Sequence, residues 1–534
     1  MNSISTRNLS PYVALAPILL GVFIAADDQT VVVTVLPQIM LDMKVTVTEL
    51  DRASWTITGY LLGYLAAMPL IGRLSDVWGH RRMFALSLLV FMVGSVAVAM
   101  SPALESLLPI ALPDTVRFPN FELLIVARVF QAIGAGALIP ISIALASDLF
   151  PTGKRGLPFG LIGASAEAGG VIGPFWGAVI PRYMDNLWDL LWTTLPIIPG
   201  LTGWLNQPQG WRWVFWINIP LSLVILGLVI WLVAPGSKTS TRIDYLGGLL
   251  ITLSLATLTA ALARIGSPDI LMLALTAISI GSLYMFIRRQ LTHPQPIVPL
   301  TMFREAKFSA ANGVHILVGS ALIIGMVTIP LMANTVMGLS PFEGGLWLMR
   351  MTAAMPVGAI IGGLACQRFG YRLPILSGLI LSALGYGLLG GWDTLIQDPE
   401  LTIHLAIVGL GFGLLIAPIG LAAVDSVGEG ERGVAAGIVT ATRIIGMTLG
   451  LAALTAWGTG RFGGLVSNMR LPLPVTGETS AELQRRISEF NADITVAGVT
   501  VFNEFFYVAM VLCLAAILPA ILMNSDHAKS LGKN

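Results

Sequence analysis

Apolar runs of membrane-spanning length recur along the whole chain, near 12–40, 53–72, 83–101, 121–147, 157–181, 212–234, 244–263, 269–288, 308–336, 342–366, 373–392, 402–424, 433–459 and 501–523. A helix needs about 20 apolar residues to cross the hydrocarbon of a bilayer, so each run predicts a transmembrane helix, fourteen in all. Glycine and proline are frequent inside the runs, which lipid-embedded helices tolerate and globular ones do not. Composition agrees: with 55% hydrophobic residues, 11% charged residues and a mean hydropathy of +0.82, the chain has too few charges to cover a soluble protein of 534 residues. It reads as an all-α polytopic membrane protein with the lipid bilayer as its first partner. The formal charge of +1 gives no sign of nucleic acid as a partner. The two cysteines fall in apolar runs and are too few for a disulfide framework. No small-residue cleavage site precedes the first run, so it reads as a retained helix.

The loops between the runs alternate in charge. One set carries Arg73, Arg81, Arg82, Lys154, Arg155, Lys238, Arg242, Arg288, Arg289, Arg304, Lys307, Arg368, Arg372 and Arg432, while Asp114, Asp185, Asp393 and Glu400 collect in the other. Basic loops stay on the cytoplasmic side, so both termini are expected there, in a cytoplasmic (inner) membrane.

Two loop patterns occur twice. GRLSDVWGHRR (72–82) follows the second run and GLACQRFGYR (363–372) the tenth, with Gly72 and Gly79 matching Gly363 and Gly370, and Arg81 matching Arg372. Asp148 precedes Arg155-Gly156 by seven residues, as Asp425 precedes Arg432-Gly433. Two independent matches imply two parallel six-helix halves, 1–235 and 293–534, with a helix pair inserted between them at 236–292.

At these residues the chain resembles the major facilitator superfamily. GRLSDVWGHRRM resembles its loop signature, RVFQAIGAG (128–136) its fourth-helix motif and GGVIGPFWGA (169–178) its fifth-helix antiporter motif. DQTVVVTVLPQI (28–39) and WRWVFWINIP (211–220) are similar to the fourteen-helix drug/proton antiporter branch. Ala132, Ala178 and Val33 depart from those motifs. The resemblance implies the major facilitator fold, alternating access, and coupling to a proton gradient with no other cofactor.

The motifs also have physical roles. Gly72 and Gly79 permit close backbone approach and a tight turn, Asp76 can bond a helix end or an arginine and so latch the halves, and Arg81 and Arg82 hold the loop to the cytoplasm. A plain basic turn is the structural alternative. Gly169, Gly170, Gly173 and Gly177 form a small-residue face that would let the fifth helix lie flat against the other half, bent by Pro174.

Of the charged residues inside the runs, six carry the sharper hypothesis: Asp27, Asp28, Glu167, Arg128, Arg350 and Arg443. An ionisable group at membrane depth is functional by default and needs a partner. At ~1.5 Å per residue, Glu167 and Arg443 each lie roughly 15 Å from their helix starts, at nearly equivalent places in the two repeats. They are therefore expected across the halves from one another. Arg350 is the rival for Glu167, because in the superfamily the corresponding helix packs along the fifth. Arg128 resembles an arginine associated there with proton coupling, and can hold Asp27 or Asp28. Desolvation favours the protonated acid and a neighbouring carboxylate adds to this, so one of Asp27 and Asp28 can carry a proton; Asp28 matches the motif and is preferred. Static buried pairs are the alternative for all six.

The substrate is read as hydrophobic or amphipathic, in two versions. Multidrug efflux follows from the branch; lipid export follows from the pattern WTITGYLLGYLAAMPLIGRLSD with GASAEAGGVIGP, similar to lipid exporters that work beside a lipid-binding lipoprotein. A tryptophan-rich stretch including Trp188, Trp192 and Trp204 is placed as a lateral path to the outer leaflet, or else a stabilising cap. A transporter-like sensor is a second class. A membrane enzyme is the remote third, since the five histidines are scattered and no nucleophile or zinc spacing appears.

Overall fold

The computed structural model describes residues 10–45, 50–107, 120–151, 153–194, 210–234, 244–262, 264, 269–294, 296–467, 469, 471–474 and 479–523. Every regular element among them is helical. In chain order the long helices are α1 (Pro11–Asp42), α2 (Leu50–Trp78), α3 (His80–Leu107), α4 (Asn120–Leu149), α5 (Gly156–Thr194) and α6 (Asn218–Leu232), the last led in by short turns at Gly210–Arg212 and Trp213–Trp216. Next come α7 (Tyr245–Leu262) and α8 (Ile270–Thr292). The second series is α9 (Ala306–Thr335), α10 (Pro341–Phe369), α11 (Arg372–Leu389), α12 (Glu400–Val424), α13 (Arg432–Val466) and α14 (Ser480–Ala515).

Each predicted run meets one of these helices. Twelve candidate spans are long and apolar enough to cross a bilayer by length and composition, and α2 makes a thirteenth if its two parts, which meet at 43° between Met68 and Leu70, are one span. Pro69 lies between the two parts in the sequence, and a proline supplies no N–H to a helix ladder. Helix α5 is long enough but falls short in apolar character, diluted by its glycines, Pro174, Pro181 and Glu167. The count of fourteen is thus matched in helices and met by twelve or thirteen in composition. The last two helices also outrun expectation: α13 has 35 residues and α14 has 36, beginning at Ser480 rather than near 501. At ~1.5 Å per residue each is roughly 50 Å long, well beyond the ~30 Å of bilayer hydrocarbon.

The packing repeats with the sequence. In the first half α1 lies on α5, α3 on α4 and α2 on α4; in the second α9 lies on α13, α11 on α12 and α10 on α12. Between the halves, α2 meets α13 just as α10 meets α5. The inserted α7 and α8 pack on each other, joined at mid-height by Ser254 Oγ donating to the Ser279 carbonyl (3.1 Å) and Ser279 Oγ to the Ser254 carbonyl (2.9 Å). Helix α7 lies along α2, where the Thr252 hydroxyl donates to the Ala66 carbonyl at 3.1 Å. Asp244 anchors the base of the pair. Burial acts to raise its carboxyl, but the Gly247 N–H and the Arg289 guanidinium (2.7 Å) outweigh this and hold it below the usual carboxylate range.

Candidate functional site

The loops rich in arginine gather at one end of the bundle, called here the basic end, and there the two halves are clasped. Helix α13 starts with backbone N–H groups that have no partner inside the helix. Asp76, at the end of α2 in the other half, accepts from two of them, Gly433 N at 2.8 Å and Val434 N at 3.1 Å. A carboxylate at a helix N-terminus also meets the positive end of the helix dipole. The close approach needs glycine on both sides, since a Cβ on Gly72 would stand 2.6 Å from the Gly433 carbonyl. Gly79 ends α2 with φ +92°, a left-handed turn that favours glycine.

The sequence repeats are read out here as exchanged pairs. Arg155 donates to the carbonyls of Ser147 in α4 and of Phe150 just past its end, in its own half, and reaches Asp425 across the interface at 2.8 Å. Arg432, its counterpart, stands 4.0 Å from Asp148. His80 contacts Asp148 (2.6 Å) and Asp76 (3.1 Å), while Tyr371, at the equivalent place in the second repeat, donates to Asp425 at 2.6 Å. Gln367, the counterpart of Asp76, donates to the Lys154 carbonyl at 3.4 Å. Gly156 and Gly363 repeat the Gly72–Gly433 approach.

The clasp makes a prediction. Asp76→Asn removes the charge from two charge-assisted hydrogen bonds of roughly 1.5–3 kcal/mol each, so the open form of the basic end should gain roughly tenfold in population. Thr440→Cys, in a background without Cys366 and Cys513, reads this as faster labelling by an impermeant thiol reagent from that end. Equal labelling with and without Asp76 would show that the clasp does not hold the halves.

Deeper in, Arg443 of α13 donates to Glu167 of α5 at 3.1 Å, joining the halves again. The pair borders a small pocket that lies between it and the clasp. Its walls are mostly aliphatic, among them Ile139, Ile143, Ile162 and Ile416, with His315 and Thr440 the other polar side chains.

Asp28 belongs to a separate cluster inside the first half. Its carboxylate accepts from Arg128 (2.6 Å), Gln131 (2.9 Å) and Asn218 (2.9 Å), and Ser95 ties Gln131 in at 2.8 Å. Arg128 is also covered by the Tyr60 ring, whose centroid lies 4.1 Å from its guanidinium carbon. Asp28 is 0% exposed and Arg128 1%, so no solvent reaches the pair. Asp27 differs: it is buried, but its Oδ1 has no hydrogen-bond partner.

Residues 18–450 match the profile of the Major Facilitator Superfamily. The chain belongs to that superfamily. It is 32% identical to a triacylglyceride transporter of Mycolicibacterium hassiacum over 98% of this chain and 95% of that one. It is 30% identical to a triacylglyceride transporter of Mycobacterium tuberculosis over 97% and 95%. Among solved structures, the proton:xylose symporter XylE superposes with a TM-score of 0.58 at 14% identity, covering 95% of this chain and 94% of the other. The human organic anion transporter MFSD10 does so with a TM-score of 0.58 at 14%, covering 97% and 100%. Both share the fold. The protein is therefore a multi-pass transporter rather than an enzyme.

Within this superfamily fold the predicted residues separate into three places. Glu167 pairs with Arg443, not with Arg350: Arg350 donates instead to both oxygens of Asp398 at 2.9 Å, at the end opposite the clasp. The Thr402 hydroxyl and Arg350 hold the Asp398 carboxyl below its usual range. The glycine face of α5 is also corrected. Gly169, Gly173 and Gly177 press on the backbone of α1 near Phe23, Asp27 and Val31, in their own half, with Gly170 and Pro174 on the same stretch; α5 meets the second half through Gly156, Gly160 and Gly163. A small-residue stripe specifies close approach without saying to which neighbour. Arg81 donates to the Ile230 carbonyl at 2.7 Å, bracing α6 within its half, and Arg82 is exposed. Trp204 and the side chains of Trp188, Trp192, Val33 and Ala178 lie outside the described residues.

Several site residues were missed in the sequence. Asn218 sits in WRWVFWINIP, whose Trp211 and Trp213 donate to Asp42 (3.0 Å) and Asp185 (2.8 Å) and so seat the segment against Asp28. Gln131 lies three residues beyond Arg128, one helical turn, which was a usable signal. His80 and Tyr371 follow Gly79 and Gly370 in the two repeats. Nothing in its neighbourhood marks His315.

Proposed function

We propose that this transporter is a proton-driven exporter of lipid, of the triacylglyceride class, working by alternating access with the basic end at the cytoplasm. The observation that carries the reading is the cavity between the halves, mostly aliphatic and bounded by one ion pair that also joins the halves. An aliphatic wall suits acyl chains, and the relatives' names point to the same substrates. The arrangement, with the basic end clasped, corresponds to a state closed toward the cytoplasm. Protonating Glu167 removes the attraction to Arg443, so the proton acts on the contact whose release lets the halves rock. A lipid-binding lipoprotein on the far side would receive the cargo, and the membrane is the cytoplasmic (inner) one.

Proteoliposomes loaded with a fluorescent triacylglyceride should show transfer to an external acceptor that rises when a proton gradient is imposed and collapses with an uncoupler. Transfer indifferent to the gradient would overturn proton coupling. Movement of a small cationic dye without movement of lipid would favour multidrug efflux, the second version, which the antiporter-like motifs support.

A further inference from the structure

We infer that His315 is a second proton-carrying residue of the transport cycle, taking the proton that Glu167 gives up and passing it toward the basic end; the inference rests on the proposed proton coupling. His315 lies on α9, nine residues past Ala306, and is 7% exposed. Its Nδ1 stands 2.6 Å from the Val439 carbonyl of α13. A carbonyl only accepts, so Nδ1 carries hydrogen and, in the neutral ring, Nε2 holds the free lone pair. The ring lines the same cavity as Glu167 and Arg443.

The charged groups facing it there are Glu167 from α5 and Arg443 from α13. The walls from α4 and α12, including Ile139, Ile143 and Ile416, carry no charge, and the described lining residues include no other ionisable side chain. Asn312, one turn earlier, is neutral and accepts from the Thr442 hydroxyl at 3.1 Å. Val439, whose carbonyl His315 meets, lies four residues before Arg443 on α13 and so roughly 6 Å nearer the basic end, at ~1.5 Å per residue.

In the step, the O–H bond of protonated Glu167 breaks and an N–H bond forms at His315 Nε2, leaving a carboxylate and an imidazolium that keeps its Nδ1–H on Val439. The carboxylate is then ready to re-pair with Arg443 when the halves come back together. The imidazolium sits near the like-charged Arg443 and is disfavoured, so it does not retain the proton. When the clasp opens, the Nε2 proton leaves to water. A neutral histidine here thus gives direction to the release.

His315→Asn tests this, because its carboxamide nitrogen replaces Nδ1 as donor to Val439 while nothing replaces Nε2. Gradient-driven lipid transfer should fall roughly tenfold or more, in the range of a lost general base, and by a clearly larger factor than gradient-free exchange of labelled for unlabelled lipid. Full gradient-driven transfer by H315N in liposomes where wild type is coupled would overturn the inference alone. Equal loss of exchange and driven transfer would show a structural role and also overturn it. Wild type indifferent to the gradient would remove the coupling and this residue's role together. Should H315N fail to accumulate, His315→Gln, similar in bulk but without a basic nitrogen, is read by the same two assays with the same outcomes.

Discussion

Asp28→Asn is expected to abolish gradient-driven transport and to lower stability as well. The carboxylate accepts from Arg128, Gln131 and Asn218, and Arg128 has no other carboxylate among its recorded partners. Neutralising Asp28 leaves a buried guanidinium without a counter-charge, which for a buried pair costs about 3–5 kcal/mol. Stability and coupling separate in a second variant. Asp28→Asn with Arg128→Gln removes both charges, so its thermal unfolding should return toward wild type while gradient-driven transfer stays lost. If the double variant regains driven transport, the pair is a packing device with no part in the coupling.

The second large effect is expected at Glu167 and Arg443. Glu167→Gln or Arg443→Gln alone leaves one charge at the cavity wall, and the pair joins the halves, so each should cut driven transport roughly tenfold or more. Their side chains are 16% and 20% exposed, so water screens part of the interaction. The two changes together should be milder than their sum by about 1 kcal/mol or more, the coupling typical of residues in contact. Additive losses would mean that the 3.1 Å contact carries no energy in the working transporter. The same cycle run with Arg350 in place of Arg443 should be additive, because Arg350 is held at Asp398.

Much of the architecture was legible because the bilayer imposes a strict rule on sequence. Each crossing needs a long apolar run whose backbone bonds internally, so the number and order of helices appear directly in hydropathy. The repeats were legible for a related reason: glycines that permit contact and arginines beside them recur at the same places in both halves, and the packing recurs with them. The pairing of Glu167 with a second-half arginine also follows from the repeats, but Arg443 and Arg350 remained rivals until the helices were placed. What misled was the α5 glycine stripe, since small residues mark closeness and nothing in them names the partner.

By itself, then, the sequence determined that this chain crosses a membrane many times and that it is built as two parallel halves around an inserted pair. These are properties of single segments and of their repetition, and they need no knowledge of what lies beside them. Tertiary structure alone decided the partners. It turned Asp148–Arg155 and Asp425–Arg432 into exchanged contacts across the halves, put Asp28 in a closed cluster with Asn218 from 190 residues away, and brought His315 to the wall that holds Glu167 and Arg443. A hydrogen bond or ion pair acts over a few ångströms, while the residues that make these are separated by whole helices in the chain; only the packing of those helices, set by which apolar and glycine faces fit, brings them within reach.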